Sequence, residues 1–187
     1  MTVSVTVSVQ LCGNQNQQTV DQAFIDSGIV KDLGIKLPSD GLNLIEVKYS
    51  SASVSCGTEL KSLQTAEKPM IKYPTKSNTL YTFMMLDLDE PSPSLPTFRS
   101  VIHWLVINVK RDDLQSGFNI YSYLIPVPTP NMGAHRYVFM VFEQPKEFAI
   151  GSNAMIAVGS KFNVSEWASQ NKVFGPVAGN YFLGKNP

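Results

Sequence analysis

The chain has few of the residues that build metal sites and disulfide frameworks. Its 187 residues include 2 Cys and 2 His. Two cysteines cannot make the multiply bridged scaffold of a small secreted domain, and neither Cys12 nor Cys56 has partners at zinc-ligand spacing. They read as free thiols of a cytoplasmic protein, with a single bridge in a secreted protein as the alternative. An excess of one charge is also missing: Lys plus Arg and Asp plus Glu number 15 each, for a formal net charge of +0. Lys110-Arg111 is followed at once by Asp112-Asp113, so no basic stripe for a nucleic acid builds up. No apolar run reaches membrane-crossing length. The start, "MTVSVTVSVQL", lacks the basic residues and the continuous apolar core of a signal peptide. Asn163-Val164-Ser165 has the pattern of a glycosylation acceptor and keeps secretion open. P-loop, G-x-S-x-G and H-E-x-x-H patterns are absent. "DLDEPSP" fails as a calcium loop because Pro91 takes a position that needs an oxygen ligand.

What is present is a core-forming composition, 43% hydrophobic and 16% charged. The length fits a single domain over residues 1–187, large enough to bury a core without metal or disulfide support. Period-two or continuous apolar runs predict strands at Thr2–Val9, Leu42–Ser50, Thr79–Asp89, Ser100–Val109, His135–Gln144 and Phe174–Gly184. Thr19–Gly34 predicts one short helix ending near Ser27-Gly28. Asn163–Lys172 predicts another, with Ser165 as N-cap. Many strands, Pro/Gly-rich connections and few helices imply a mainly β fold, an antiparallel β-sandwich with a few short peripheral helices. The clusters "PSPSLP" (Pro91–Pro96) and "PVPTP" (Pro126–Pro130) read as rigid loops.

Three of these apolar strands carry polar groups at one end. Strict alternation puts Tyr81, Phe83, Met85, Asp87 and Asp89 on one face. It puts His103 with Leu105, Ile107 and Val109, and His135 with Tyr137 and Phe139, while Arg136 points the other way. If those ends converge, Asp87, Asp89, His103, His135 and Tyr137 line a small pocket. Imidazoles and a phenol can donate hydrogen bonds to an oxyanion, and the aspartates suit an ammonium group. A zwitterionic head group satisfies both. Singly, each residue has a plainer reading, a satisfied histidine or a turn aspartate; convergence is what would make a site. Acid–base chemistry by the carboxylates is the enzymatic alternative, but no nucleophile stands beside them.

These motifs resemble the phosphatidylethanolamine-binding protein family, to which the Raf kinase inhibitor protein belongs. The resemblance rests on "DLDEPSPS" (Asp87–Ser94), "HWLVINV" (His103–Val109), "PVPTPNMGAHRYVFMVFEQ" (Pro126–Gln144) and "FGPVAG" (Phe174–Gly179), with "AFIDSGIVKDLG" (Ala23–Gly34). It implies a sandwich with Greek-key connections and a pocket for phosphate-like anions or phospholipid head groups. The ligand-binding positions it implies are Asp87, Asp89, Pro91, Phe98, His103, Pro128, His135 and Tyr137, supported structurally by Gly133 and Arg136. It implies a non-enzymatic protein without cofactor or metal that binds phosphatidylethanolamine or another phosphorylated small ligand and modulates protein kinases. A secreted carrier of a hydrophobic ligand and a serine protease inhibitor are the alternatives. The sequence departs from the family pattern at Leu88, where a proline is usual, and at Glu90, which adds charge near the mouth. Phe98 replaces a pocket tyrosine, Ile102 a second histidine, and Ile125–Val127 a glycine-rich turn. A C-terminal helix bordering the pocket has no counterpart before Pro187.

Overall fold

The apolar runs become the middle strands of one sheet. The computed structural model describes residues 11–13, 18–151 and 161–186; the strand expected at Thr2–Val9 lies outside them. The strands are β1 (Asn43–Leu44), β2 (Glu46–Lys48), β3 (Thr58–Lys61), β4 (Met70–Lys72), β5 (Leu80–Asp87), β6 (Val101–Lys110), β7 (Phe118–Tyr121), β8 (His135–Gln144) and β9 (Phe174–Lys185). The helices are α1 (Val20–Asp26), α2 (Ile29–Leu33) and α3 (Val164–Asn171). Seven strands form the large sheet, in the order β1-β9-β8-β5-β6-β7, with β3 also paired to β9. β2 and β4 form a separate two-stranded sheet.

The protein is thus mainly β with few helices, but the large sheet is mixed. β5, β6, β7, β8 and β9 pair antiparallel, whereas β1 and β3 run parallel to β9. The wholly antiparallel arrangement read from the sequence does not hold at that edge. Composition cannot reveal this, because strand direction depends on how the connections cross.

Both faces of β5 and β8 are buried, and alternation decides what each face meets. Met84, Leu86, Val138, Met140 and Phe142 pack with Phe24, Ile29 and Trp167 from the helices. Tyr81, Phe83, Met85, Tyr137, Phe139 and Val141 pack with Val47 and Ile71 from the two-stranded sheet. Each fully buried phenylalanine of this second cluster contributes about 1.5–3 kcal/mol of transfer free energy.

The single strand expected over Leu42–Ser50 is divided. Asn43–Leu44 pairs with Ala178–Gly179, Ile45 N donates to Gly179 O at 3.1 Å, and the chain then leaves to pair β2 with β4. The fully buried Asn180 holds this crossing. Its amide donates to Ile45 O and Val54 O, and its Oδ1 accepts from Cys56 N and Tyr181 N. A buried amide with all these bonds made stabilises one arrangement of three chain segments.

The first helix ends at Ser27 as expected, but a second follows. Gly28, at φ 75°, turns the chain into α2, a helix too short for periodicity to reveal. The cap of α3 is Asn163, whose Oδ1 accepts from Glu166 N at 3.0 Å; Ser165 lies inside the helix. An Asn two residues earlier competes for the same role, and pattern alone ranks the two equally. Cys12 and Cys56 are joined by a disulfide, with Cα atoms 5.7 Å apart. This corrects the free-thiol reading. The two residues lie far apart in sequence, and it is the Asn180-centred crossing that delivers Cys56 to Cys12.

Candidate head-group site at one end of the sheet

The strand ends that carry polar residues do converge. Asp87 closes β5, His135 opens β8 and His103 lies near the start of β6, all at one end of the large sheet. Asp87 and Tyr137 are cross-strand partners. The Asp87 Oδ2 lies 2.8 Å from His135 Nδ1, and both side chains are almost completely buried. Tyr137 stacks on His135 with ring centroids 6.3 Å apart. Burial and the neighbouring Asp87 carboxylate push its hydroxyl pKa up, so it stays a neutral donor. Gly184 leaves room for this ring: a Cβ there would come within 2.5 Å of Tyr137 Cε2.

His103 reaches the group through a β-bulge. Met85 pairs with Trp104 and Leu86 with Ile102, so His103 is an extra residue with no partner on β5. Such a bulge interrupts alternation and re-aims a side chain. His103 therefore does not share the face of Leu105 and Ile107, which lie in the helix-side cluster. It meets Tyr137 edge-on at 5.1 Å, and its Nδ1 pairs with Leu124 O at 3.0 Å.

Asp89 is not part of this group. The strand stops at Asp87, and Asp89 turns to the opposite side, so the two carboxylates do not share a face. Asp89 Oδ2 accepts from Arg136 N at 2.9 Å and Nε at 2.8 Å, and its Oδ1 accepts from Nη2 at 2.6 Å. Arg136 also donates to Ser27 O and pairs with Asp32, which in turn pairs with Arg99. Arg99 Nε donates to Leu88 O at 2.8 Å. This two-aspartate, two-arginine cluster fastens the α1–α2 junction to the turn that carries Asp87. Arg136 points away from Tyr137 and anchors the turn, as its strand parity implies. Asp32 and Arg99 give no signal in the sequence, because their partners are distant along the chain.

The remaining positions form the surroundings. Pro91 is half-buried, Pro128 is buried and Phe98 is 46% exposed. Pro128 O accepts from Asn186 Nδ2 at 3.0 Å. Gly133 has φ 100°, a left-handed conformation that favours glycine, and a Cβ there would stand 3.4 Å from Pro93 Cδ. A cavity of about 390 Å³ opens beside Gly133 and Ala134, with Lys61, Asn131, Lys185 and Asn186 in its wall.

The electrostatics separate the two histidines. For His135, burial favours the neutral ring, but the Asp87 hydrogen bond and the charges of Asp87, Glu90 and Asp89 outweigh it, and its pKa rises above the ordinary value. For His103, burial dominates and the pKa falls. Burial alone would raise the Asp89 pKa; its bonds to Arg136 and the nearby Arg99 charge hold it below the usual carboxylate range. His135 Nε2 is buried and has no hydrogen-bond partner among the described residues. Asp87, Glu90 and His135 each place a ligand atom within 4.8 Å of the others, a grouping that can also receive a cationic group. One side of His135 can thus take an anion and the other lies beside carboxylates.

A family model described as phosphatidylethanolamine-binding protein matches residues 43–182. The chain belongs to this family. It is 32% identical over 166 residues to the 26 kDa secreted antigen of Toxocara canis, covering 85% of this chain and 62% of that protein. The chain thus spans less than two thirds of that relative's length. It is 32% identical over 135 residues to the protein MOTHER of FT and TFL1 homolog 2 of Oryza sativa subsp. japonica, covering 72% and 76% of the two chains. Among solved structures, a carboxypeptidase Y inhibitor in complex with its proteinase matches with a TM-score of 0.73 at 21% identity, covering 88% and 94%. A phosphatidylethanolamine-binding protein from Plasmodium vivax matches with a TM-score of 0.67 at 18% identity, covering 88% and 96%. These last two are likenesses of fold. No helix among the described residues is long and apolar enough to cross a membrane.

Proposed function

We propose that the chain is a non-catalytic binding protein whose site, built by Asp87, His103, His135 and Tyr137, takes a phosphorylated zwitterionic head group of the phosphatidylethanolamine type. One observation carries this reading: His135 Nε2 is buried without a partner among the described residues while Nδ1 is held by Asp87. The raised pKa favours the cationic ring, in which both nitrogens are donors. A buried donor left unpaired costs about 1–3 kcal/mol, and a phosphate oxygen at Nε2 removes that cost. Asp87 and Glu90 supply the negative charge that suits an ammonium group. Pro91, Phe98 and Pro128 would frame the mouth, and Gly133 and Arg136 would hold its two loops. Family membership supports the ligand class and makes protein kinases candidate partners, to be tested by kinase inhibition with the purified chain. Calorimetry with phosphoethanolamine tests the site. Saturable binding that is lost in His135→Asn is the expected result; equal binding by the variant would remove His135 from the site.

The Cys12–Cys56 bridge favours a second reading of where and how this site works. Disulfides persist in oxidising compartments, so a secreted carrier of a lipid or other small ligand fits better than a cytoplasmic regulator. Likeness to a secreted antigen of Toxocara canis and to the putative odorant-binding protein A5 of Drosophila melanogaster supports that reading. Non-reducing mass spectrometry of the protein from its native source tests it: an intact bridge favours the carrier, free thiols the cytoplasmic regulator.

A further inference from the structure

The head-group site leaves Asn163-Val164-Ser165 without a role. It is the only Asn-x-Ser/Thr triplet in the 187 residues. Such a triplet arises by chance in many chains, so its surroundings in the fold decide what it can do. Asn163 caps α3 from an extended backbone, φ −86° and ψ 97°. Val164, 1% exposed, packs into the helix-side core, and Asn163 and Ser165 on either side of it are exposed. The preceding residue is tied down: Phe162 N donates to Ser100 O at 3.1 Å. The triplet is thus held at the surface by its own apolar neighbours. The cap engages Oδ1, which accepts from Glu166 N at 3.0 Å. A substituent on Nδ2 leaves that bond intact. Beside Asn163 an open groove of about 630 Å³ runs between α2 and α3, with Lys31, Asp32, Arg99 and Ser169 in its walls. These side chains offer donors and acceptors of the kind that sugar hydroxyls pair with.

We infer that Asn163 carries an N-linked glycan, attached through Nδ2 at the start of α3 with its first sugar at the α2–α3 groove. The inference rests on the reading of the chain as a secreted carrier, and it is independent of which ligand the carrier takes. Two unrelated observations meet here. The Cys12–Cys56 bridge marks passage through an oxidising compartment, and glycosylation of Asn-x-Ser/Thr belongs to secreted proteins. The donor is an oligosaccharide linked to a lipid through a diphosphate. Transfer forms the bond from Nδ2 to the anomeric carbon of the first sugar and breaks the bond from that carbon to the diphosphate. The lipid diphosphate leaves, and the amide gives up one proton. No oxidation or reduction is involved. The modified side chain stays an amide with its carbonyl oxygen free, so α3 keeps its cap in the glycosylated protein.

Non-reducing intact-mass spectrometry tests this, on the full chain from its native source and from a eukaryotic secretory host. The expected result is a heterogeneous mass excess that an asparagine-glycan amidase removes, leaving aspartate in place of Asn163. Variants secreted from the same host locate the attachment. Asn163→Asp keeps a capping oxygen and lacks Nδ2, while Ser165→Ala keeps the capping residue and lacks the hydroxyl. Both should lose the whole excess, and Ser165→Thr should retain it. An excess that survives Asn163→Asp or Ser165→Ala overturns the assignment. Native protein with an intact bridge and no carbohydrate overturns the glycan and leaves the secreted carrier standing. Native protein with free thiols and an unmodified Asn163 removes both.

Discussion

Asp87 Oδ2 and His135 Nδ1 lie 2.8 Å apart with both side chains almost wholly withdrawn from solvent. A buried carboxylate and imidazole stabilise each other only if the pair is held in register, and here two adjacent antiparallel strands hold it. Asp87 faces Tyr137 across β5 and β8, and His135 lies two residues before Tyr137 on the same face. The pair fixes the ring and leaves Nε2 for another partner.

The two histidines should titrate on opposite sides of the ordinary value. His135 has a raised folded pKa, so its contribution to stability is complete below the unfolded value of about 6.5 and is lost as pH rises through the folded one. His103 has a lowered folded pKa. Its contribution is complete above the unfolded value and is lost as pH falls through the folded one. With only 2 His in the chain, ring NMR resolves both titrations, and His103→Ala assigns them. In Asp87→Asn the His135 titration should move down. If both rings titrate together at the ordinary pKa, the buried pair is not as described.

Arg136 should matter to stability through Asp89. The Asp89 side chain is 1% exposed, and removing its main partner leaves a buried charge, at a cost of about 3–5 kcal/mol. Urea unfolding of Arg136→Met should show a loss of that order, reduced somewhat by Arg99, whose Nη2 stands 3.6 Å from Asp89 Oδ1. Adding Asp89→Asn to the variant should restore part of it. Additive losses in the double variant would mean that the two residues act separately.

Reduction of the Cys12–Cys56 bridge should destabilise the fold without abolishing it. The bridge closes a loop of sequence separation 44, for which the chain-entropy relation gives about 4 kcal/mol, at the upper end of the usual range. Cys12 and Cys56 belong to the helix-side core cluster, whereas the cluster against the two-stranded sheet contains neither. Denaturant midpoints with and without reductant measure this; equal midpoints would mean that the bridge adds nothing to stability.

The strands that position the site were legible in the sequence, since His135–Gln144 forms over the expected span and Thr79–Asp89 differs only at its ends. Alternation also sorted Tyr137 from Arg136 correctly. It failed at His103, where one bulged residue reverses the parity of the residues after it as far as Ile107, and at Asp89, where the strand ends two residues early. Both failures lie where the chain leaves regular pairing to build the site. The Asp32–Arg99–Asp89–Arg136 cluster and the cysteine bridge were beyond reach because each joins segments that only the finished fold brings together.

The most direct test of the central claim is a phosphoethanolamine titration followed at the ring nitrogens of His135 and His103, with Asp87→Asn as control. The account predicts saturable shifts at His135 Nε2 and at His103 in the wild type, and loss of both in the variant. Rings that stay unmoved through millimolar ligand, or that respond equally in Asp87→Asn, would contradict a head-group site at this end of the sheet.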